Sequence, residues 1–216
     1  MFNERPPQPK YTDTWDVEVV LEYLRQLPDN DQLELKELSL KLVMLLALVS
    51  AGRSSELHKC TISGMVDKGF MVELHVGALT KVRKVGEKPM VLKLQQYDPE
   101  VKLDVVRCLR TYLSKTEPVR QEGPGGDQIL ISFQKPHASL ASSSVARWIK
   151  MGMQAAGIDI QKYQAHSTRS ASTTKAAMRG LQTAQIMEQA NWKRAMTFRR
   201  FYFKEVSCPF QDKVLS

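Results

Sequence analysis

Cysteine is scarce in this chain of 216 residues: Cys60, Cys108 and Cys208 are widely spaced and accompany no CxxC or His pair. That excludes a disulfide scaffold or a conventionally spaced zinc site as the organising principle and makes a reducing compartment the default. Long apolar runs are missing too. The longest, Leu42 to Val49, is far short of a bilayer span and suits a core helix, so no membrane partner is expected. The opening Met-Phe-Asn-Glu-Arg-Pro-Pro has none of the apolar stretch of a secretory signal, and secretion is not expected. There is no clustered carboxylate set of the kind two-metal nucleases use, and no internal repeat. Acidic residues nearly vanish from one end. Residues 128–216 hold 4 Asp/Glu against 13 Lys/Arg, a net +9, whereas residues 1–127 hold 19 against 18, a net −1. The whole positive excess therefore lies in the last third, which on charge alone is either a solvated basic face or the electrostatic footprint of a polyanion partner such as double-stranded DNA.

What remains is ordinary for a folded protein, with 43% hydrophobic and 25% charged residues, enough for one large domain with its own core. Residues 1–12, with three prolines, read as an extended lead-in; 13–206 form the domain and 207–216 a tail. Thr14 is placed to cap a helix with Trp15, Val19, Tyr23 and Leu27 at helical spacing, ended by Pro28-Asp29-Asn30-Asp31. Leu35, Leu38, Leu42, Leu45 and Val49 predict a second helix closed by Ala51-Gly52, and Arg53 begins a short turn through Leu57. Phe70, Val72, Leu74 and Val76 alternate with polar neighbours, as do Met90, Leu92 and Leu94. The pair predicts a β-hairpin with a basic tip carrying Lys81, Lys84 and Lys88. Asp98-Pro99 starts a helix with Val101, Val105, Leu109, Tyr112 and Leu113 on one face. Residues 117–128 read as a turn-rich loop before a short strand, Ile129 to Phe133. The basic third is helical: one helix around Val145, Trp148, Ile149 and Met153 stopped at Gly157, one from His166 to Arg179 stopped at Gly180, one from Thr183 to Ala190, and one capped by Thr197. The fold class expected is mainly α with a small antiparallel β-sheet inserted early.

Within the basic third, His166-Ser167-Thr168-Arg169 puts an imidazole and a guanidinium on one helical turn. Trp192 follows, and Tyr202 lies in an Arg-rich aromatic segment. A second cation of matching quality stands upstream in Gly52-Arg53-Ser54-Ser55-Glu56. A phosphodiester attacked by an oxygen nucleophile gains negative charge on its non-bridging oxygens, and fixed donors that meet this charge are the largest catalytic term. Arg53 and Arg169 suit that role because the guanidinium fork stays charged and grips two oxygens. His166 can donate to the phosphate or take the nucleophile's proton. Trp192 offers an indole N–H and a packing surface. Glu56 can orient a cation, or pair with His58 or Lys59. Tyr202 is the candidate nucleophile, and a hairpin lysine, Lys81, Lys84 or Lys88, can protonate the leaving oxygen. Each of these side chains alone is more often structural; their coincidence in a basic segment is what points to chemistry. A basic helical adaptor is the reading left if that coincidence is ignored.

Motif by motif, the sequence resembles the catalytic domain of the tyrosine recombinases, the phage integrase family. Arg53 and Glu56 match the first Arg motif, His166 and Arg169 the HxxR motif, Trp192 the position filled by His or Trp, and Tyr202 the nucleophile. Lys81, in Leu-Thr-Lys, fits the hairpin lysine. Trp192 to Tyr202 is one residue longer than the usual family spacing, an extra residue that Lys193 to Met196 can absorb. The resemblance implies strand cutting and rejoining through a 3′-phosphotyrosyl intermediate, with no metal or other cofactor. Lys84, Lys193, Arg194, Arg199 and Arg200 would then contact DNA, and copies of the chain would associate on it. The alternative it leaves is a catalytically silent DNA-binding remnant. The phrase Trp-Lys-Arg-Ala-Met-Thr-Phe-Arg-Arg-Phe-Tyr is most like recombinases of DIRS-like retrotransposons and animal mobile elements, which implies a nuclear location, or a cytoplasmic one for a chain of another origin. The family commonly adds a helical N-terminal clamp domain; with about a dozen residues before the first helix, the expectation is a catalytic domain alone.

Overall fold

The computed structural model describes residues 12–77, 90–122, 126–192, 202–203 and 205–206. The chain enters through a two-residue strand, β1 (Asp13–Thr14), and a ten-residue helix, α1 (Val17–Gln26). The cap of α1 is Asp16, whose carboxylate accepts the Glu18 amide, and not Thr14. The shift turns the helix: Val17, Val20 and Leu24 are buried, while Val19 is exposed. Trp15 is buried ahead of the helix and donates from Nε1 to Ser167 Oγ at 2.9 Å.

The helix α2 (Leu35–Ser50) is the axis of the core. Leu38, Leu42, Val43, Met44, Leu45, Leu46 and Ala47 are all essentially inaccessible, as a helix that is apolar on every side must be. Around it pack α4 (Val105–Glu122), α5 (Ser142–Ala155), α6 (Ser167–Met178) and one strand of the sheet. Gly152 of α5 lies hard against Met44; a Cβ there would sit 2.4 Å from Met44 Cγ. The short helices α3 (Ser54–Leu57) and α7 (Thr183–Gln189) complete the helical set among the described residues.

The sheet has three antiparallel strands in the order β2 (Cys60–Asp67), β3 (Met71–Val76), β4 (Val91–Gln95). Val72 pairs with Leu94 and Leu74 with Leu92, and these four side chains face the core. The expected alternation is correct for β3 and β4, but Phe70 stands exposed in the preceding turn. The first strand, β2, was not legible. It carries no apolar alternation, and its register slips between Cys60 and Met65, around Gly64, where a Cβ would meet Thr61 Oγ1 at 2.8 Å. Residues 78–89, with Lys81, Lys84 and Lys88, lie outside the described residues.

Two further expectations are corrected. Asp98 does not cap a long helix: Val101–Leu103 is a single 3-10 turn, and α4 is capped by Asp104, whose Oδ1 accepts the Val106 and Arg107 amides. The helix then runs through Pro118 to Glu122, where a loop was expected. Arg120 ties that last stretch down by donating to the Thr116 hydroxyl and to the carbonyls of Gln128 and Ile129. Ile129 to Ile131 are buried, but only isolated bridges, Thr61–Gln128 and Ile131–Ser139, form there instead of a strand. In the basic third three of the expected helices are present, α5, α6 and α7, while the one expected to be capped by Thr197 lies outside the described residues. Gly157 and Gly180 both take φ 88° just past α5 and α6, the left-handed stop that glycine adopts without penalty. The chain returns as β5 (Glu205–Val206), parallel to β1.

Candidate active site

The site is built where α2 ends and α6 begins. Ala51, not Gly52, takes the left-handed conformation that closes α2, at φ 47°. Gly52 is needed for space instead: a Cβ there would approach Ser50 Oγ to 2.7 Å and Leu57 Cδ2 to 3.1 Å. This turn delivers Arg53 to the head of α3. Glu56, one turn on, holds Arg53 twice, accepting its backbone amide on Oε2 at 2.7 Å and its Nη1 on Oε1 at 2.6 Å. The Arg53 side chain remains 47% exposed. Partial burial works against its charge, but Glu56 and a hydrogen bond with the Tyr202 side chain outweigh this and raise its pKa.

Arg169 is the opposite case, with 3% of its side chain exposed on the first turn of α6. Its Nη1 donates to the Ala51 carbonyl at 2.7 Å, and Nη2 donates to the Ala190 carbonyl. Glu56 Oε2 lies 3.6 Å from Nη1, so one carboxylate stands between both guanidinium groups. The guanidinium also lies over the Trp192 ring, 4.6 Å from its centroid, and 5.6 Å from that of Tyr202. Such contacts add cation–π attraction in a desolvated setting. Burial, then the Arg53 charge, lower the Arg169 pKa, while Glu56 and Tyr202 oppose them; a guanidinium stays charged at neutral pH regardless. Its Nε is buried without a hydrogen-bond partner among the described residues.

A cavity of about 170 Å³ opens between these elements, and Arg53, His166, Arg169 and Tyr202 all line it, with Ser54 and Ser55 on the α3 side. His166 stands at the N-cap position of α6 and is exposed. Trp192 packs against Tyr202: the two rings are 4.4 Å apart at 34°. Trp192, Ile186, Ala190 and Ala51 form a small apolar cluster of their own, against which Tyr202 packs. A larger groove of about 730 Å³ continues outward, sharing Ser54, Ala165 and His166 with the cavity and lined further on by Arg147, Lys150 and Gln154 of α5.

Six of the expected residues are thus brought together: Arg53, Glu56, His166, Arg169, Trp192 and Tyr202. Glu56 pairs with the two arginines, not with His58 or Lys59. Lys81, Lys84, Lys193, Arg194, Arg199 and Arg200 lie outside the described residues. Sequence reasoning missed the carbonyls of Ala51 and Ala190 that hold Arg169, and a main-chain group leaves no trace in composition. It also missed Arg147 and Lys150, whose i, i+3 spacing on the face of α5 opposite its buried stripe was a usable signal.

Among the described residues no three His, Cys, Asp or Glu side chains are grouped so as to hold a metal ion, and no helix is long and apolar enough to cross a membrane. No curated protein matches the chain. Solved structures do. XerH site-specific recombinase bound to difH substrate, in a pre-cleavage complex, superposes with a TM-score of 0.65 at 13% identity, covering 99% of this chain and 56% of that one. XerA recombinase gives 0.65 at 17% identity, with 97% and 65% covered. A lambda integrase dimer bound to a COC′ core site gives 0.55 at 15%, with 95% and 52% covered. The chain therefore has the fold of those recombinases' matching part and spans between about half and two thirds of their length. Residues 18–206, which contain all six assembled side chains, match the phage integrase family, and the chain belongs to that family.

Proposed function

We propose that this chain is the catalytic domain of a tyrosine-type DNA recombinase, spanning residues 13–206, that breaks and rejoins strands through a phosphotyrosyl intermediate. The observation that carries the reading is one cavity wall shared by the Tyr202 phenol, the His166 imidazole and two guanidinium groups. A phosphate seated there would meet Arg53 from the exposed side and Arg169 from the buried side. Tyr202 Oη attacks phosphorus and passes its proton to a base, for which His166 is the candidate. The bond from phosphorus to the 5′ oxygen breaks, and that oxygen takes a proton from a lysine, Lys81 by resemblance. The 3′-phosphotyrosyl bond keeps the energy needed for religation, and reversal by a second 5′ hydroxyl completes exchange. The arginines supply the charge that metal ions supply elsewhere, so the reaction should proceed in excess EDTA.

Double-stranded DNA fits the groove beyond the cavity, where Arg147 and Lys150 extend the positive wall; Lys84, Lys193, Arg194, Arg199 and Arg200 would add to it. The DNA-bound states of the XerH and lambda integrase structures support this partner, and the lambda integrase dimer supports association of copies on DNA. A mobile-element origin and nuclear action belong to the proposal on the sequence resemblance alone.

The test is incubation with nicked, end-trapped duplex DNA in chelator. A covalent adduct should form, peptide mapping should place it on Tyr202, and Tyr202→Phe should abolish it while leaving duplex affinity unchanged. Binding of duplex with no adduct from the wild type would instead identify a silent DNA-binding remnant. An adduct on another residue would refute the assignment of the nucleophile.

A further inference from the structure

The helix α6 does more in this structure than carry Arg169. A serine or threonine inside a helix ordinarily turns its hydroxyl back to the carbonyl one turn earlier, as Thr173 does to Arg169 O at 2.7 Å. Ser170 and Thr174 instead donate to the same distant acceptor, the backbone carbonyl of Tyr202, at 2.7 Å and 3.0 Å. They stand four residues apart on one helical face, and both are buried, at 6% and 0% exposure. A carbonyl oxygen has two lone pairs, and this pair of hydroxyls fills both. Three residues past Tyr202 the chain enters β5 and pairs with β1. The residue after β1, Trp15, is itself bonded to Ser167 at the head of α6. The segment bearing the phenol is thus tied to one rigid helix at its own carbonyl and, through β1, again just downstream.

We propose that Ser170 and Thr174 are positioning residues for Tyr202: a two-hydroxyl clamp that fixes the nucleophile relative to Arg169 by holding its backbone and not its phenol. The inference rests on the recombinase reading for its functional meaning. Because α6 supplies both Arg169 and the clamp, any movement of the helix carries cation and nucleophile together, and their mutual geometry is preserved. In-line attack needs the reacting atoms held at about 3–3.5 Å, and a misplacement of about 1 Å costs on the order of 100-fold in rate. Neither hydroxyl touches the phosphate in this role. Their loss should therefore appear in the chemical step and not in DNA binding.

The experiment compares Ser170→Ala/Thr174→Val, which removes both hydroxyls at nearly constant shape, with Ser170→Thr/Thr174→Ser, which keeps them. Single-turnover cleavage of end-trapped duplex at saturating protein, duplex affinity, and hydrogen exchange of the peptide spanning residues 201–206 are measured for each. The hydroxyl-free variant should cleave on the order of 100-fold more slowly with unchanged affinity and should exchange faster at 201–206. The hydroxyl-retaining variant should behave as wild type. Unchanged cleavage and exchange in the hydroxyl-free variant would overturn the clamp, as would a loss confined to affinity. If the wild type forms no adduct, the recombinase reading falls by itself, and exchange still decides the clamp: faster exchange keeps it and unchanged exchange removes it. A melting temperature within a few degrees of wild type, measured alongside, separates release of the segment from loss of the fold.

Discussion

The two guanidinium groups of the site share one carboxylate and yet are held in opposite ways. Arg53 stands at the end of a tight turn, half exposed, with its charge favoured by Glu56 and Tyr202. Arg169 is sealed under Trp192 and Tyr202, bonded to two backbone carbonyls, with its charge opposed by burial and by Arg53. The same three-charge cluster thus pushes one pKa up and the other down, and burial is the difference. The comparison teaches that one arginine is part of the architecture and the other is not. Arg169 joins the end of α2, the end of α7 and the start of α6 through Ala51, Ala190 and its own helix. Among the described residues Arg53 joins only Glu56 and the phenol. A ligand arriving at the cavity finds Arg53 half exposed and Arg169 buried.

The sharpest way to break this comparison is Arg169→Ala. It removes a buried cation from two carbonyls and a carboxylate and leaves a void beneath the indole. Breaking a buried pair in this way costs about 3–5 kcal/mol. Melting temperature and activity should therefore fall together, and Arg169→Lys should restore little of either, because an ammonium cannot reach both carbonyls in the planar geometry of the fork. A variant that melts like wild type would show that the carbonyl contacts contribute nothing and that the two arginines are alike.

How much of this arrangement could be read from the sequence follows the same division. The chemistry-bearing side chains were legible because type and spacing identify them: Arg53, His166, Arg169 and Tyr202 line one cavity, with Glu56 and Trp192 packed against them. The helices of the basic third were legible because Val145, Trp148, Ile149 and Met153 repeat at helical period and Gly157 and Gly180 mark the stops. What failed depends on competition between near-equivalent local signals. Asp16 outcompetes Thr14 as a cap by two residues, and that shift rotates the buried face of α1 from Val19 to Val20. Asp104 takes the cap from Asp98 in the same manner. Strand β2 is held by its partner β3 more than by its own pattern. The Ala51 and Ala190 carbonyls could not be foreseen, because only the packing of three helix ends brings them to one guanidinium.

Glu56→Gln probes the link between the two cations and ranks below Arg169→Ala. The amide keeps the length of the side chain and can still accept the Arg53 backbone N–H, but the charge separating the two guanidinium groups is gone. Hydrogen bonds to charged groups contribute about 1.5–3 kcal/mol, and a loss of that size is expected in chemical denaturation. The loss should shrink at high salt, which screens the unrelieved repulsion on the exposed Arg53 side. Added inorganic phosphate should stabilise this variant more than the wild type, because an anion seated between the arginines replaces the missing carboxylate charge. Equal stabilisation of both proteins would mean that the cavity does not collect anions through this pair.

The smallest effect on stability, and the clearest separation of architecture from chemistry, is expected for Arg53→Ala. Its ion pair with Glu56 spans three residues and joins a half-exposed guanidinium to a largely buried carboxylate, and a pair open to solvent on one side contributes on the order of 1 kcal/mol. Glu56 keeps Arg169 as a partner 3.6 Å away, so no buried charge is abandoned. The Arg53 amide can still donate to Glu56 Oε2, so the turn after Gly52 should persist. The melting temperature should thus move by no more than a few degrees. The rate should not be spared: removal of one fixed donor from a developing oxyanion costs about 10²–10³ in the chemical step. Adduct formation by Arg53→Ala should fall by that factor at saturating DNA, while Arg169→Ala loses adduct and fold at once. Supplying guanidinium or methylguanidinium at millimolar concentration should recover part of the rate in Arg53→Ala, whose vacated position opens to solvent, and none in Arg169→Ala, whose position is sealed beneath the indole. Rescue of both, or of neither, would erase the distinction between the exposed and the buried cation.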